Sequence, residues 1–502
     1  MGGAAPAPAA SDEVSSDDPS RPGSGSGSRA ARRPNRPAWG SGGRRALLAA
    51  LIVGGALRLL WVIWATRSPV FPTDPSEYLR IALELSEGRS PTFGGVGGPS
   101  AYWSPGYPFV LAPFVWFADR TGLLSPAFAA SLVNVVAGTL TIWLTALLAE
   151  RWIGVRAKLP AAWLVALAPS LIYYTSTAHT ETAFTPVLLG AYVLTGSRTQ
   201  DVPNRHWLLI GLLVGLGVLF RAPGIIGLAA PLLALRVRRG SWRAAWRDAA
   251  RATGLVLVGA AVLLVPWTIR NGVQVGIWSP GSTSNASALC FGHNDDISAS
   301  WTKSLANRNL QVECFQGSPY DRPSAYPANG QEVPEGVGEV PVDEVRWYQD
   351  RVGDAVEWAV SHPVQEVKLT AAKVWETWSD EGRVVEAARN YQSATWAGGW
   401  MRPLGTLANL WLWGVGALAL AGLAVVPACR RALPIWVPIV LFTLAIVAAL
   451  AQPHYRFPVM PLVAVLAAGF LARRHLDEPG PGDDADRVPG ATQTTTTSGA
   501  RS

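Results

Sequence analysis

The chain has 502 residues, of which 49% are hydrophobic and only 15% are charged, with 23 tryptophans and a formal net charge of +7. Apolar runs of about 20 residues recur along it, the length that spans a bilayer, so a soluble enzyme, a disordered protein and a disulfide-rich secreted module are excluded. The positive charge falls on arginines between the apolar runs, a pattern typical of cytoplasmic loops rather than of nucleic-acid binding.

The two ends of the chain have the composition of tails. Residues 1–43 are rich in Gly, Ala, Pro, Ser and Arg without an apolar period, which predicts a disordered cytoplasmic tail. The first apolar run starts only at Ala46 and has no small-residue cleavage site after it, which argues against a signal peptide. Residues 473–502 predict a second disordered cytoplasmic tail, so the transmembrane domain is expected over 44–472.

Between the tails, the apolar runs predict an all-α polytopic membrane protein with about ten transmembrane helices and one interfacial helix. The full spans are predicted at 46–66, 126–149, 159–176, 180–197, 206–220, 222–236, 252–269, 403–427, 434–451 and 455–472. The run 107–118 would reach only about 18 Å as a helix, against a hydrocarbon core of about 30 Å. It is therefore predicted to lie in the interface or to dip in and out.

Loop charge indicates the orientation of these spans. If 107–118 does not span, the loops on one side carry the clusters of arginine, and the arginine-rich N-terminal tail joins them. Because positively charged loops face the cytoplasm, two large segments, 67–125 and 270–400, are predicted to face outward. If 107–118 did span, the most basic loop and the N-terminal tail would lie on opposite sides, so the first interpretation is preferred.

The second outer segment contains the pattern of two amphipathic helices, separated at His362-Pro363, a pair that breaks a helix. Cys290 and Cys314 lie on the outer side, where oxidation is possible, so a disulfide between them is predicted. Cys429, at a cytoplasmic helix end, is predicted to be a free thiol. The tryptophans of the two helices that suit packing on the membrane surface are Trp347, Trp358, Trp375 and Trp378.

Ionisable residues are costly inside a membrane and therefore informative. Arg58 is the clearest one within a span, and the favoured interpretation is an internal partner for a carbonyl or a carboxylate. Just after that span, Asp74 precedes a helix-like run and is a candidate N-cap, as is Thr73. The functional alternative is a general base or a ligand for a divalent cation. Asp74 and Tyr78 are four residues apart and share one helix face, with Glu77 close to it.

Two further motifs occur at outer span ends. The stretch 103–108 reads Trp-Ser-Pro-Gly-Tyr-Pro, and its prolines and glycine fix a bend that carries Tyr107. It is either a membrane-anchoring corner or part of a site. Glu181 begins an apolar helix, where the helix dipole favours a carboxylate. The alternative is a second outer carboxylate that faces the same pocket as Asp74.

Arginines at the outer mouths of spans are candidates to bind a lipid-carried phosphate, through charge-assisted hydrogen bonds. They are Arg221, Arg270 and Arg456. The alternative is that each side chain snorkels to the lipid headgroups. The polar neighbours that join them as substrate-binding candidates are Asn271, His293 and Tyr455.

The sequence contains no Walker loop, no Rossmann glycine pattern and no metal-ligand spacing of Cys and His. The predicted inner side offers only basic loops. A reaction driven by cytosolic nucleotides therefore has no evident site, whereas a reaction at the outer face that draws on an activated lipid does.

These motifs, in this order, resemble those of the membrane glycosyltransferases of the GT-C fold, nearest to the family 39-like branch of protein O-mannosyltransferases and aminoarabinose transferases. The family's acidic residue, tyrosine, Ala-x-x-Leu and Gly are matched by Asp74, Tyr78, Ala82, Leu85 and Gly88. The other stretches that resemble family elements are 103–108, 180–181, 220–223, 266–271 and 455–458. Many members carry Glu directly after the first acid, whereas Pro75 stands here, which leaves the role of Glu77 open.

The resemblance implies a GT-C-like fold and an inverting transfer of a sugar from a polyprenyl-phosphate donor to an acceptor hydroxyl. Asp74 would deprotonate the acceptor, and Glu181 would position the acceptor or an ion. Arg270 and Arg456 would hold the donor phosphate. The implied partners are this lipid-linked donor, a protein, glycan or lipid acceptor, and membrane lipid, but no nucleic acid. A divalent cation is left open as a cofactor, and so is the identity of the sugar.

Two rival functions remain open at this stage. A lipid-linked sugar flippase or transporter would favour internal repeats and polar groups near the midplane, whereas the polar groups here gather at one face. A scaffold for cell-envelope assembly would need none of the candidate carboxylates.

Overall fold

The computed structural model describes residues 41–70, 73–95, 98–295, 307–321, 335–336, 338–392 and 399–475. Nearly all of both predicted tails lies outside these residues, and only their inner edges, 41–43 and 473–475, are described and are helical. Every named element in these ranges is a helix, and no strand is assigned among them; isolated bridge residues occur, including an antiparallel bridge between Pro69 and Gln392. The predicted all-α class is therefore confirmed.

The α-helices of these ranges follow in chain order. They are α1 Ser41–Ala65, α2 Asp74–Ser86, α3 Gly106–Thr121, α4 Pro126–Trp152, α5 Lys158–Ala166, α6 Pro169–Tyr173, α7 Thr180–Leu194, α8 Asn204–Phe220, α9 Ala229–Arg239, α10 Trp242–Gln274, α11 Asn285–Gly292, α12 Arg308–Phe315, α13 Glu344–Ser361, α14 Pro363–Ser379, α15 Gly382–Asn390, α16 Met401–Val425, α17 Pro427–Arg431, α18 Leu433–Val447 and α19 Met460–Ala472. Short 3-10 stretches cover Val155–Ala157, Tyr174–Ser176, Ala222–Leu228, Pro453–Val459 and Arg473–His475.

Five of the described helices are long and apolar enough to cross a membrane, and a bent pair makes a sixth candidate span. The five are Gly42–Ala65, Pro126–Trp152, Trp242–Gln274, Met401–Val425 and Pro453–Ala472. The other predicted spans coincide with shorter helices, and 222–236 divides into a 3-10 stretch, Ala222–Leu228, and α9. The chain is a multi-pass membrane protein, and the number of ten spans stays a prediction.

The bent pair joins α5 to α6 at an angle of 58° and is tied to the first helix by a buried arginine. Pro169 begins α6, so it offers no N–H to the carbonyl of Val165, four residues before it. Arg58 supplies donors instead: Nη2 lies 3.0 Å from Val165 O, and Nη1 lies 3.2 Å from Ala166 O. The predicted role of Arg58 as a partner for carbonyls is confirmed.

The middle of the bundle is formed by α19, which is buried along nearly all of its length, and by α4. A second close contact joins α8 to α10. A Cβ on Gly211 would lie 2.2 Å from Val256 O, and one on Gly259 would lie 2.3 Å from Leu208 O. The two backbones therefore approach as closely as small residues allow, which is how helices pack in membranes.

The two predicted loop segments, 67–125 and 270–400, pack against each other. Glu344, at the start of α13, accepts hydrogen bonds from Ala101 N at 3.0 Å and from Thr283 Oγ1 at 2.6 Å. The predicted pair of amphipathic helices is confirmed by α13 and α14, which meet at His362. The predicted surface position of Trp347 is wrong: the side chain is 3% exposed, because its indole N–H donates to Cys314 O at 2.9 Å inside the segment.

Candidate functional site

Asp74 is the first residue of α2, and its carboxylate does not cap the helix. The backbone N–H of Thr73 donates to Ser76 Oγ at 2.9 Å, so the first turn is closed without Asp74. Within the described residues the Asp74 side chain forms no ion pair. The candidate base is therefore held in place by its helix while its oxygens stay available.

Glu181 lies at the start of α7 and is fully buried. Arg221, just past the end of α8, forms an ion pair with it and donates a hydrogen bond to Thr180 Oγ1 at 3.1 Å. His454 places its Nε2 atom 3.7 Å from the same carboxylate. Three separate parts of the chain therefore converge on Glu181.

The charges of this cluster act on Asp74. Burial, together with the negative charge of Glu181, raises the pKa of the Asp74 carboxyl to about 7, although the positive charge of Arg221 opposes the shift. Asp74 therefore lies near enough to Glu181 and Arg221 to feel their charges. A carboxylate whose pKa lies near neutrality suits a general base better than an ordinary aspartate does, because it accepts a proton more readily.

Aromatic side chains surround the carboxylates. The ring of Tyr78 meets the ring of Tyr107 edge-on, with 5.8 Å between centroids. The Tyr107 hydroxyl donates to Asn134 Oδ1 at 3.0 Å, which fixes the ring against α4. The guanidinium of Arg221 lies 4.6 Å above the ring of Tyr455. Asp74, Tyr78, Glu181, Arg221 and Tyr455 form what we call the central cluster.

The bend that carries Tyr107 depends on a glycine. A Cβ on Gly106 would lie 2.6 Å from both Leu219 C and Phe220 N, the backbone at the end of α8 that leads into Arg221. We expect Gly106→Ala to push α3 away from α8 and to lower any activity of the central cluster by about tenfold or more, since misplacement by 1 Å has effects of that size.

The matched control for this variant is Gly414→Ala in α16, where a Cβ would meet no atom within 4 Å. Purified variants would be compared by sugar transfer and by melting temperature. Equal activity of the two variants would show that the close approach at Gly106 does not position the cluster.

Glu77 does not join the central cluster through its contacts. Its carboxylate pairs with Arg80, at 2.6 Å, and accepts the N–H of Gly94 at 3.1 Å. Arg80 also pairs with Glu84 at 2.7 Å. These bonds hold the loop after α2 against the helix, so the contacts of Glu77 in the structure are structural, and its contact with substrate stays a prediction.

Arg270 and Asn271 also lie apart from the central cluster. The guanidinium of Arg270 donates to Ser90 Oγ at 2.6 Å, to Pro91 O at 3.0 Å and to Ser100 O at 2.8 Å. Its remaining donor bonds Asn271 Oδ1 at 2.9 Å. Its donor groups therefore bond the loop 90–100 and Asn271 of its own helix, so they are not free for the phosphate that the sequence motif predicted.

Arg456 is fully buried and forms an ion pair with Glu381, which is buried as well. The same guanidinium donates to Thr377 O and lies 5.8 Å from the ring of Trp378. The predicted phosphate contact is therefore not supported here either, because this arginine joins the end of α14 to the start of the last span.

His293 lies in a third place, near the end of α11. Its Nε2 atom is 3.5 Å from Lys373 Nζ and 3.6 Å from Glu366 Oε1. Burial and the charge of Lys373 lower the pKa of His293. Nearby, Cys290 and Cys314 are bonded to each other, and the third cysteine, Cys429, is free and buried.

Four residues at or beside the central cluster were missed by sequence reasoning: Tyr174, His179, Tyr391 and His454. His179 and Tyr174 are buried beside His454, with ring centroids 6.0 Å and 5.3 Å from it. The sequence did point to His179 and Tyr174, since both belong to the turn that ends in Glu181. Tyr391 had no such signal, because it is brought in by a contact with residues more than 300 positions away. Among the residues described here, no group of three His, Cys, Asp or Glu side chains is arranged to hold a metal ion.

Comparison with protein families identifies one match. Residues 113–269 match the model of a family described as dolichyl-phosphate-mannose-protein mannosyltransferase. The match confirms the predicted resemblance to this branch of the GT-C glycosyltransferases. It includes Glu181 and Arg221 but not Asp74. No curated protein matches the sequence of the chain.

Several solved structures are similar to the chain. The apo oligosaccharyltransferase of Archaeoglobus fulgidus is 15% identical and has a TM-score of 0.48, over 85% of this chain and 50% of that one. AglB of the same organism, in complex with an inhibitory peptide and a dolichol-phosphate, is 15% identical with a TM-score of 0.47, over 86% and 50%. ArnT from Cupriavidus metallidurans, bound to undecaprenyl phosphate, is 18% identical with a TM-score of 0.36, over 86% and 77%. The chain spans half the length of the archaeal proteins.

Proposed function

We propose that this chain, part of which matches a mannosyltransferase family, transfers a sugar from a polyprenyl-phosphate donor to an acceptor hydroxyl at the extracytoplasmic face. The observation that carries the proposal is the convergence of Asp74, Glu181 and Arg221 from three separate helices. These residues supply the groups that an inverting transfer from a phosphate leaving group requires: a base of raised pKa, a second carboxylate and a cation beside it.

Asp74 acts as the base. It takes the proton of the acceptor hydroxyl while the acceptor oxygen attacks the anomeric carbon from the face opposite the phosphate. The bond between that carbon and the phosphate oxygen breaks, and the polyprenyl phosphate leaves with the electron pair. The configuration at the anomeric carbon is inverted, and no covalent intermediate with the protein forms.

Arg221 stabilises the leaving phosphate, which replaces the role that the motifs suggested for Arg270 and Arg456. Its side chain is 22% exposed, and its hydrogen bonds to Thr180 and Glu181 both leave from Nη1. The guanidinium of Arg270 is bonded to the loop 90–100 and to Asn271, and that of Arg456 is buried in an ion pair with Glu381. Glu181 fixes the orientation of Arg221 through the ion pair and positions the acceptor.

The test uses the purified protein in lipid vesicles with radiolabelled polyprenyl-phosphate mannose, or the arabinose equivalent, and acceptors from a membrane extract. We expect label to move from the lipid to an acceptor, with inversion at the anomeric carbon. Label that crosses the bilayer on an unchanged lipid would instead support a flippase. Absence of both transfer and crossing with both donors would contradict the proposal.

A further inference from the structure

The end of the second loop segment is clamped to the chain just before α2. Pro69 and Gln392 form an antiparallel bridge, and the N–H of Val70 donates to Tyr391 O at 3.1 Å. The N–H of Arg67 donates to the side chain of Gln392 at 2.7 Å. These bonds fix the position of Tyr391 relative to the first turn of α2, where the candidate base lies.

The ring of Tyr391 faces the central cluster. It meets the ring of His179 edge-on, with 4.4 Å between centroids. Burial raises the pKa of the Tyr391 hydroxyl, and the charges of Asp74 and Glu181 add to the shift, so the phenol lies in the electrostatic field of both carboxylates. The residue is only half-buried, whereas His179 is 2% exposed. Tyr391 is therefore the accessible member of the pair.

His179 has unused hydrogen-bonding capacity. Neither of its ring nitrogens has a partner among the described residues, and the same is true of the hydroxyl of Tyr174, whose ring lies 5.1 Å away. Burial lowers the pKa of His179 to about 3, so the ring is neutral and offers one donor and one acceptor. Buried polar groups are normally paired, and unpaired ones call for an explanation such as a ligand.

We propose that Tyr391 forms one wall of a subsite for the sugar ring of the donor, with His179 as the polar group at its closed end. A sugar ring has an apolar C–H face and an edge of hydroxyl groups. An aromatic ring can pack against the apolar C–H face. A neutral imidazole can both donate a hydrogen bond to the hydroxyl groups and accept one from them. The subsite rests on the proposed function, because it places the sugar beside Asp74.

The test measures binding of two probes, undecaprenyl phosphate and polyprenyl-phosphate mannose, to the full chain in nanodiscs. The wild-type protein should bind the sugar-bearing lipid more tightly. Tyr391→Ala should weaken that binding by about tenfold, or about 1.4 kcal/mol, and leave binding of the bare lipid phosphate within about twofold of wild type. Tyr391→Phe, which keeps the ring, should retain the preference. His179→Phe should also weaken only the sugar-bearing lipid.

The matched control is Trp375→Ala, which removes an aromatic side chain that is 74% exposed on α14 of the same segment. It should change neither binding constant. An equal loss for both lipids in Tyr391→Ala would show a structural role and overturn the subsite, as would a wild-type protein without preference for the sugar. A wild-type protein that binds neither lipid would contradict the proposed function itself, and the subsite with it.

Discussion

Asp74→Asn is expected to lower the rate of sugar transfer by about 10²–10⁴-fold, the usual contribution of a general base. Asparagine has nearly the same shape as aspartate but cannot accept the acceptor's proton. Because the carboxylate forms no ion pair among the described residues, the substitution should leave the fold and the binding of donor lipid unchanged. Transfer and donor binding would both be measured on the purified variant in vesicles.

The control for this variant is Asp119→Asn, which removes a carboxylate from the exposed end of α3. It should transfer sugar at the wild-type rate. If Asp74→Asn matched the wild-type rate as well, the base would have to be sought elsewhere, with Glu181 the next carboxylate to test.

The pH dependence supplies an independent check on the same residue. The base acts only when it is deprotonated, and its pKa is raised from 3.8 to about 7. We therefore expect kcat/KM to be constant above about pH 7 and to fall about tenfold per unit below it. An unshifted aspartate would keep the rate constant down to about pH 4. The residual kcat/KM of Asp74→Asn should not show this fall below about pH 7.

Glu381→Gln is expected to destabilise the protein by about 3–5 kcal/mol, because it leaves Arg456 buried without a counter-charge. Both side chains of the pair are fully buried. The measurement is the melting temperature in detergent. Replacing both members with apolar residues, Glu381→Leu together with Arg456→Met, should recover much of the loss, since no unpaired charge is then left inside.

The control pair lies on the surface. Asp350 is 3.6 Å from Arg346 on α13, and both side chains are more than half exposed. Asp350→Asn should leave the melting temperature unchanged, because exposed ion pairs contribute little. A melting temperature of Glu381→Gln equal to that of Asp350→Asn would mean that the buried pair does not stabilise the junction between α14 and the last span.

Periodic features were predictable from the sequence, whereas long-range contacts were not. The break at His362 and the helices on both sides of it follow from local spacing, and the structure has them. Local sequence also identified Arg270 as a cation at a span end. It contained nothing about the loop 90–100, whose carbonyls and hydroxyl accept most of the hydrogen bonds that this side chain donates.

The candidate site was predictable in part. Glu181 and Arg221 stand at helix ends that face one another, and an acid and a cation at such ends are visible in the sequence. Tyr391 is not, since its place depends on the bridge between its neighbour Gln392 and Pro69, which are more than 300 residues apart in the sequence. Span lengths were hard to predict for a physical reason: α7 is buried along most of its length by neighbouring helices, so it need not be as long as a lipid-facing span.

The link between Arg58 and the carbonyls of Val165 and Ala166, near the bend at Pro169, has a consequence for biogenesis. An arginine at the centre of a lone helix makes insertion less favourable by about 2.5–3.5 kcal/mol. Its partners, Val165 and Ala166, are synthesised more than 100 residues later. The first helix therefore leaves the ribosome well before the carbonyls that bond Arg58 have been synthesised. It gains its full stability in the bilayer only after α5 lies beside it. The stability of α1 in the bilayer thus depends on a helix that the chain supplies later.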